Sequence, residues 1–107
     1  MRGGEEVDKS LPREINFKFL WLNMFYVYVL HSKKDNKLYT GFTKNLKLRF
    51  EQHCEGLCKS TKERRPLMLI YYEACLNQQD ATKREKYLKT TYGKKFIKNR
   101  LKSYFTG

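Results

Sequence analysis

The chain turns continuously apolar at Phe25: residues 25 to 30 read FYVYVL, each β-branched, aromatic or leucine. Such a run predicts a strand buried on both faces. The polar stretch KKDNK, Lys33 to Lys37, supplies a turn. LYTGF, Leu38 to Phe42, predicts a second strand that closes a hairpin. With the turn centred between Asp35 and Asn36, Tyr28 stands opposite position 43 and Tyr39 opposite position 32. That register puts both tyrosines on one face, and a one-residue slip would separate them. Gly41, inside the second strand, marks a bulge or the close approach of another group.

A helix is predicted over residues 45–55, capped by Thr43 or Asn45 and stopped by Gly56. Its apolar stripe reads Leu46, Phe50, Cys54 and Leu57. A basic loop, CKSTKERR, follows and ends at Pro66. LMLIYYEA, Leu67 to Ala74, predicts a third strand. Asn77 caps a second helix, with Asp80 placed as in a capping box. Gly93 breaks that helix, and Lys94 to Tyr104 form a third. The order β-β-α-β-α-α describes an α+β domain: a small three-stranded, largely antiparallel sheet flanked by helices.

Residues 1–23 are unlike the rest, with weak periodicity and clustered acidic groups. They read as an extension, disordered or a misassigned start, before a domain over residues 24–107. The other reading is an added element in which Phe17, Phe19, Leu20 and Trp21 cover a sheet edge. No signal peptide is recognisable, and the apolar run from Phe17 to Leu30 is interrupted by Lys18 and Asn23. It is also shorter than the roughly 20 residues of a membrane-spanning helix.

A length of 107 residues suits one domain with one core, and 40% hydrophobic residues can fill it. Charge narrows the partners. Lys and Arg number 23 against 11 acidic residues, a net +12. Self-repulsion of that size is relieved by an anionic partner, nucleic acid first and a membrane surface second. The plainer reading is charge that keeps the protein soluble. Cys54, Cys58 and Cys75 form no regular pattern, which argues against a disulfide framework and suits a cytoplasmic location. His53, Cys54 and Cys58 lack a second ligand pair for structural zinc.

Between Lys83 and Lys102 there are nine basic residues and one acidic residue, Glu85. Ala81, Leu88 and Tyr92 recur at helical spacing around it, which turns Glu85 inward. It is either a Mg²⁺ ligand, a role a single carboxylate can fill with water and phosphate, or the partner of Lys89 at i+4. Arg49 and His53 share a helix face. Arg matches a phosphate, and His exchanges a proton near neutral pH. Taken singly they are explained better as one basic residue among many and an ordinary half-buried histidine. Tyr28 and Tyr39, standing alone, would read as core.

Together these residues resemble the GIY-YIG nuclease superfamily. Tyr26-Val27-Tyr28 and, eleven residues on from Tyr28, Tyr39-Thr40-Gly41 resemble its paired signatures. The Arg49–His53 helix and Glu85 follow in order. The likeness covers about residues 24–105 and is closest to small stand-alone members related to the N-terminal nuclease domain found in bacterial excinuclease. It implies a metal-dependent endonuclease using Mg²⁺, with Mn²⁺ able to substitute. It implies that Tyr39 stands by the attacking water and that Tyr28 is the second active-site tyrosine. Arg49 would contact the scissile phosphate, His53 would bond the tyrosine network, and Glu85 would hold the metal. Asn99 matches a late asparagine of many members. Tyr26 stands where glycine is usual and Thr40 where isoleucine is usual, which bears on local backbone geometry.

The expected substrate is nucleic acid, DNA before RNA, cut in repair or processing. Lys59, Lys62, Arg64 and Arg65 in the basic loop would grip its backbone, with Lys94, Lys95, Lys98 and Asn99 on the last helix. Backbone contacts carry little sequence information, so structure-selective cutting or a protein partner would supply specificity. The alternatives are a binding module without cleavage and an accessory component of a repair complex.

Overall fold

The computed structural model describes residues 17–107; the rest of the predicted N-terminal extension lies outside the described residues. A short helix α1 (Phe17–Leu22) precedes the hairpin strands β1 (Phe25–Ser32) and β2 (Leu38–Thr43). Then come α2 (Leu46–Cys54), a 3₁₀ turn at Lys62–Arg64 and β3 (Leu67–Cys75). Three helices close the chain: α3 (Gln78–Leu88), α4 (Thr91–Arg100) and α5 (Lys102–Thr106). The sheet is antiparallel throughout, in the order β2-β1-β3. The α+β reading holds, with α1 and α5 added.

β1 is central because FYVYVL can be buried on both sides. Val27 and Val29 face one way, into a core with Ala81, Leu88 and Ile97. Tyr28 and Leu30 face the other, with Leu67, Leu69, Leu46 and Phe50. Each such buried aliphatic side chain contributes about 2 kcal/mol of apolar burial. A bulge opposite Val29/Leu30 lets the adjacent Ile70 and Tyr71 both join the first core.

The hairpin register differs from expectation by two residues. Tyr28 pairs with Gly41, and Leu30 with Tyr39. The Ser32 hydroxyl accepts the Lys34 and Asp35 amides, and Asn36 takes a left-handed φ of 62°. These contacts centre the turn one residue earlier than expected. A two-residue shift preserves strand parity, so the tyrosines still share a face. His31, buried on β1, is fixed to Asn36 at 2.6 Å and to Tyr104 of α5 at 2.7 Å.

Asn45 caps α2 by accepting the Leu48 amide, and Gly56 ends it at φ 78°. The expected stripe is half right. Leu46 and Phe50 pack inward, but Cys54 and Leu57 are exposed. His53 takes the buried place, fully shielded from solvent. Position 53 completes the 46–50–53 helical face, and the polar ring is tolerated there because both its nitrogens find partners.

Gly93 does not separate two helices as expected; it lies inside the first turn of α4. The break falls at Lys89 and Thr90, where the Thr90 hydroxyl accepts the Gly93 amide. A Cβ on Gly93 would stand 2.1 Å from the Tyr87 carbonyl oxygen and 2.5 Å from the Leu88 Cα. Glycine is therefore what lets α4 close against α3. The last predicted helix is split at Leu101 into α4 and α5. Arg84 fastens α3 to the sheet through a two-pronged contact with Glu73 on β3, its guanidinium lying over the Tyr87 and Phe96 rings.

Gly93→Ala is expected to lower stability by about 1–3 kcal/mol, because the added methyl meets backbone and not a yielding side chain. Urea unfolding of the two proteins measures it, and equal midpoints would refute the packing assigned to Gly93.

Candidate active site

The site is built on the face of β1 and β2 that α2 covers. Tyr28 stands over Gly41, its cross-strand partner. A Cβ on residue 41 would come within 2.3 Å of the Tyr28 hydroxyl oxygen and 2.4 Å of Cζ. The glycine is the space the phenol occupies, which is the close approach its place in the strand suggested. Tyr39 sits beside it, with ring centroids 6.4 Å apart. α2 then delivers His53 between them, its ring 5.7 Å from Tyr28 and 5.2 Å from Tyr39.

Hydrogen bonds fix this group. The Tyr28 hydroxyl lies 2.8 Å from His53 Nε2, and His53 Nδ1 lies 2.7 Å from the Thr61 hydroxyl. Tyr28, His53 and Thr61 are all buried. The Arg49 guanidinium stands beside the Tyr28 hydroxyl and also donates to Gln52 Oε1 at 3.3 Å. Arginine has only donors to offer, so His53 Nε2 is the acceptor for the Tyr28 proton. His53 then carries its own proton on Nδ1 and donates to Thr61.

Burial sets the charge states. It raises the Tyr28 pKa to about 12, against the opposing pull of Arg49. The expectation that Arg49 and His53 would stabilise a tyrosinate is thus corrected for Tyr28: desolvation outweighs them and the phenol stays protonated. Burial, reinforced by the Arg49 charge, lowers the His53 pKa to about 4. His53 is therefore neutral at pH 7. Tyr39 is only half-buried, so its hydroxyl is the more accessible of the two.

Four of the five expected residues thus meet on one face: Tyr28, Tyr39, Arg49 and His53. Glu85 stands apart, on α3, which packs on the Val27/Val29 face of the sheet. Its side chain is 20% exposed and ion-paired with Lys89 at 3.2 Å. Among the described residues there is no group of three His, Cys, Asp or Glu side chains able to hold a metal. A protein-only cage is therefore not offered. One accessible carboxylate does fit Mg²⁺, which keeps several waters and shares substrate phosphate oxygens. Structural zinc does not fit, since both His53 nitrogens are engaged.

The basic residues divide. Lys94, Lys98 and Arg64 line one cleft of about 500 Å³ with Lys37, at the β2 end of the hairpin. Arg64 is tied to Asp35 at 3.0 Å, and Arg65 to the Lys62 and Cys54 carbonyls. Lys59, Lys62, Lys95 and Asn99 are exposed and lie outside the cleft. Thr61 and Gln52 escaped the sequence reading. Thr61 sits in a loop that reads only as basic, and no spacing rule links it to position 53.

The buried neutral histidine makes stability depend on pH. Its folded pKa is below that of the unfolded chain, so the unfolded state takes up the proton first on acidification. The stabilisation is full above about pH 6.5 and falls by about 3 kcal/mol as pH drops to about 4. Urea midpoints between pH 7 and 5, above the carboxylate range, should fall in the wild type and stay flatter in His53→Gln. Parallel slopes would refute the burial of a neutral imidazole.

Comparison with known proteins places this geometry. Residues 24–102 match the family model described as the GIY-YIG catalytic domain. A UPF0213 protein of Pediococcus pentosaceus is 51% identical over 65 residues, covering 60% of this chain and 67% of its own. One from Pediococcus acidilactici is 45% identical over 83 residues, covering 72% of this chain and 84% of its own. The solution NMR structure of the UPF0213 protein BH0048 from Bacillus halodurans is similar at 28% identity and a TM-score of 0.48, covering 73% of this chain and 85% of that one. With its tyrosines, arginine and histidine gathered beside the matched signatures, the chain belongs to the GIY-YIG catalytic-domain family.

Proposed function

We propose that the protein is a metal-dependent endonuclease that hydrolyses phosphodiester bonds in nucleic acid, DNA before RNA. The observation that carries this is the buried Tyr28–His53–Thr61 chain, which spends three polar side chains on holding one phenol beside Arg49. Such preorganisation costs stability and suits a site that must meet a developing charge without rearranging.

β2 is an edge strand, with Tyr39 on one face and α3 along the other. A phosphodiester laid across that edge would meet Tyr39 and Arg49 from one side and Glu85 from the other. Glu85 would release Lys89 and hold Mg²⁺, which supplies Lewis-acid polarisation of the phosphate when bound. The Tyr39 hydroxyl would accept a hydrogen bond from water and aim it in line at phosphorus. Arg49 would offset charge on the non-bridging oxygens as the water–phosphorus bond forms and the bond to the leaving strand breaks. Tyr28, locked in its protonated form, would hold Arg49 and the neighbouring Tyr39 in place; it is not the base. Lys94, Lys98 and Arg64 would receive the flanking backbone in their cleft, with Lys59, Lys62, Arg65, Lys95 and Asn99 as outlying contacts. A role in repair or processing, with a protein partner supplying specificity, fits a domain whose contacts are to backbone. Among the described residues no helix is long and apolar enough to cross a membrane.

One observation favours a second reading, binding without cleavage: Glu85 forms the ordinary i,i+4 pair with Lys89. Cleavage assays with Mg²⁺ or Mn²⁺ over single-stranded, duplex, branched and RNA substrates separate the two. Arg49→Ala should slow cleavage by about 10²-fold or more, and Glu85→Gln should abolish it. Wild-type rates in both variants would refute the assignment; tight binding with no products from the wild type would establish the second reading.

A further inference from the structure

Next to the tyrosine–histidine group, on the same sheet face, lies a cleft that the site does not use. Trp21 and Leu22 of α1, Tyr26 of β1 and Tyr72 of β3 line it together with Lys44 and Lys47, and it holds about 460 Å³. Trp21 is 56% exposed and Tyr72 50% exposed. The Tyr26 and Tyr72 rings lie 6.0 Å apart, tilted by 58°. Tyr72 is the cross-strand partner of Tyr28, and Tyr26 precedes Tyr28 by two residues on the same face. Two residues of strand span about 6.6 Å. The aromatic cluster is thus the immediate neighbour of the proposed phosphate position.

We propose that this cleft is a stacking platform for an unpaired nucleobase on the strand that carries the scissile phosphate. The inference rests on the nuclease reading and gives it a substrate class: nucleic acid single-stranded beside the cut. Aromatic rings stack on the π-face of any base, so the platform asks for an accessible base and not for a sequence. In duplex the bases are stacked on each other and cannot reach it. Lys44 and Lys47 would meet the backbone of the same nucleotide. The lysines and the net charge of +12 oppose the other obvious occupant, a second copy of this chain.

Trp21 is the chain's only tryptophan, so its fluorescence reports on the platform directly. Wild-type protein in EDTA, where cleavage is blocked, should show saturable quenching with single-stranded DNA or RNA. An abasic strand of equal length and a blunt duplex should not quench. Running both sugars shows which nucleic acid is held. Tyr72→Ala should weaken single-strand binding about fivefold or more, and Tyr72→Phe should restore it, with unchanged far-UV circular dichroism in both. Equal quenching by the abasic strand would reduce the site to phosphate contact and overturn the platform. So would Trp21 shielding in a dimer, seen by sedimentation at the same concentrations. Cleavage of flap and blunt duplex at equal rates, without quenching, would sink the platform and leave the nuclease reading intact. Quenching without any cleavage under Mg²⁺ would sink the nuclease reading and keep the platform.

Discussion

The Tyr28 ring lies over a residue that has no side chain, and much of the domain is arranged to keep it there. Gly41 gives it room, and the antiparallel β1–β2 register puts glycine opposite. Its hydroxyl then needs a partner in a place water cannot reach, because an unpaired buried hydroxyl costs about 1–3 kcal/mol. His53 meets that need, and Thr61 meets the need His53 creates. One buried phenol thus fixes the rotation of α2 and the path of the loop after it.

The same burial separates the two tyrosines chemically. Tyr28 is driven to a pKa of about 12 and His53 to about 4, so neither carries charge at neutral pH. Arg49 is left as the single charge beside them. A neutral, hydrogen-bonded support under one arginine and one accessible phenol suits a site that receives an anion. It would not suit a site in which both tyrosines had to ionise.

The central strand divides the labour of the domain. Its odd-numbered residues build the core against α3 and α4, and its even-numbered residues build the site against α2. Stability and chemistry are therefore on opposite sides of one layer. β2, at the edge, is where the two sides come nearest each other. The exposed aromatic rings of Tyr72 and Trp21 continue the site's face outward, beyond the part closed by α2.

FYVYVL announced a strand buried on both faces, Asn45 and Asn77 announced their caps, and Gly41 announced a close approach; these rest on local rules of periodicity and backbone geometry. The pairing of Tyr28 with Tyr39 was also legible, because strand parity survives an error of two residues in register. His53 looked half-buried and Cys54 buried, since a stripe of apolar letters cannot show that a polar ring will find two partners. Gly93 looked like a break, since its contact is with the backbone of a different helix. Thr61 could not be found at all: its role depends on a loop folding back over α2. The sequence by itself determined the elements, the faces and the candidate residues. Only the tertiary structure decided which of them touch, which proton each holds and which side of the sheet Glu85 occupies, because burial and hydrogen-bond partners come from segments far apart in the chain.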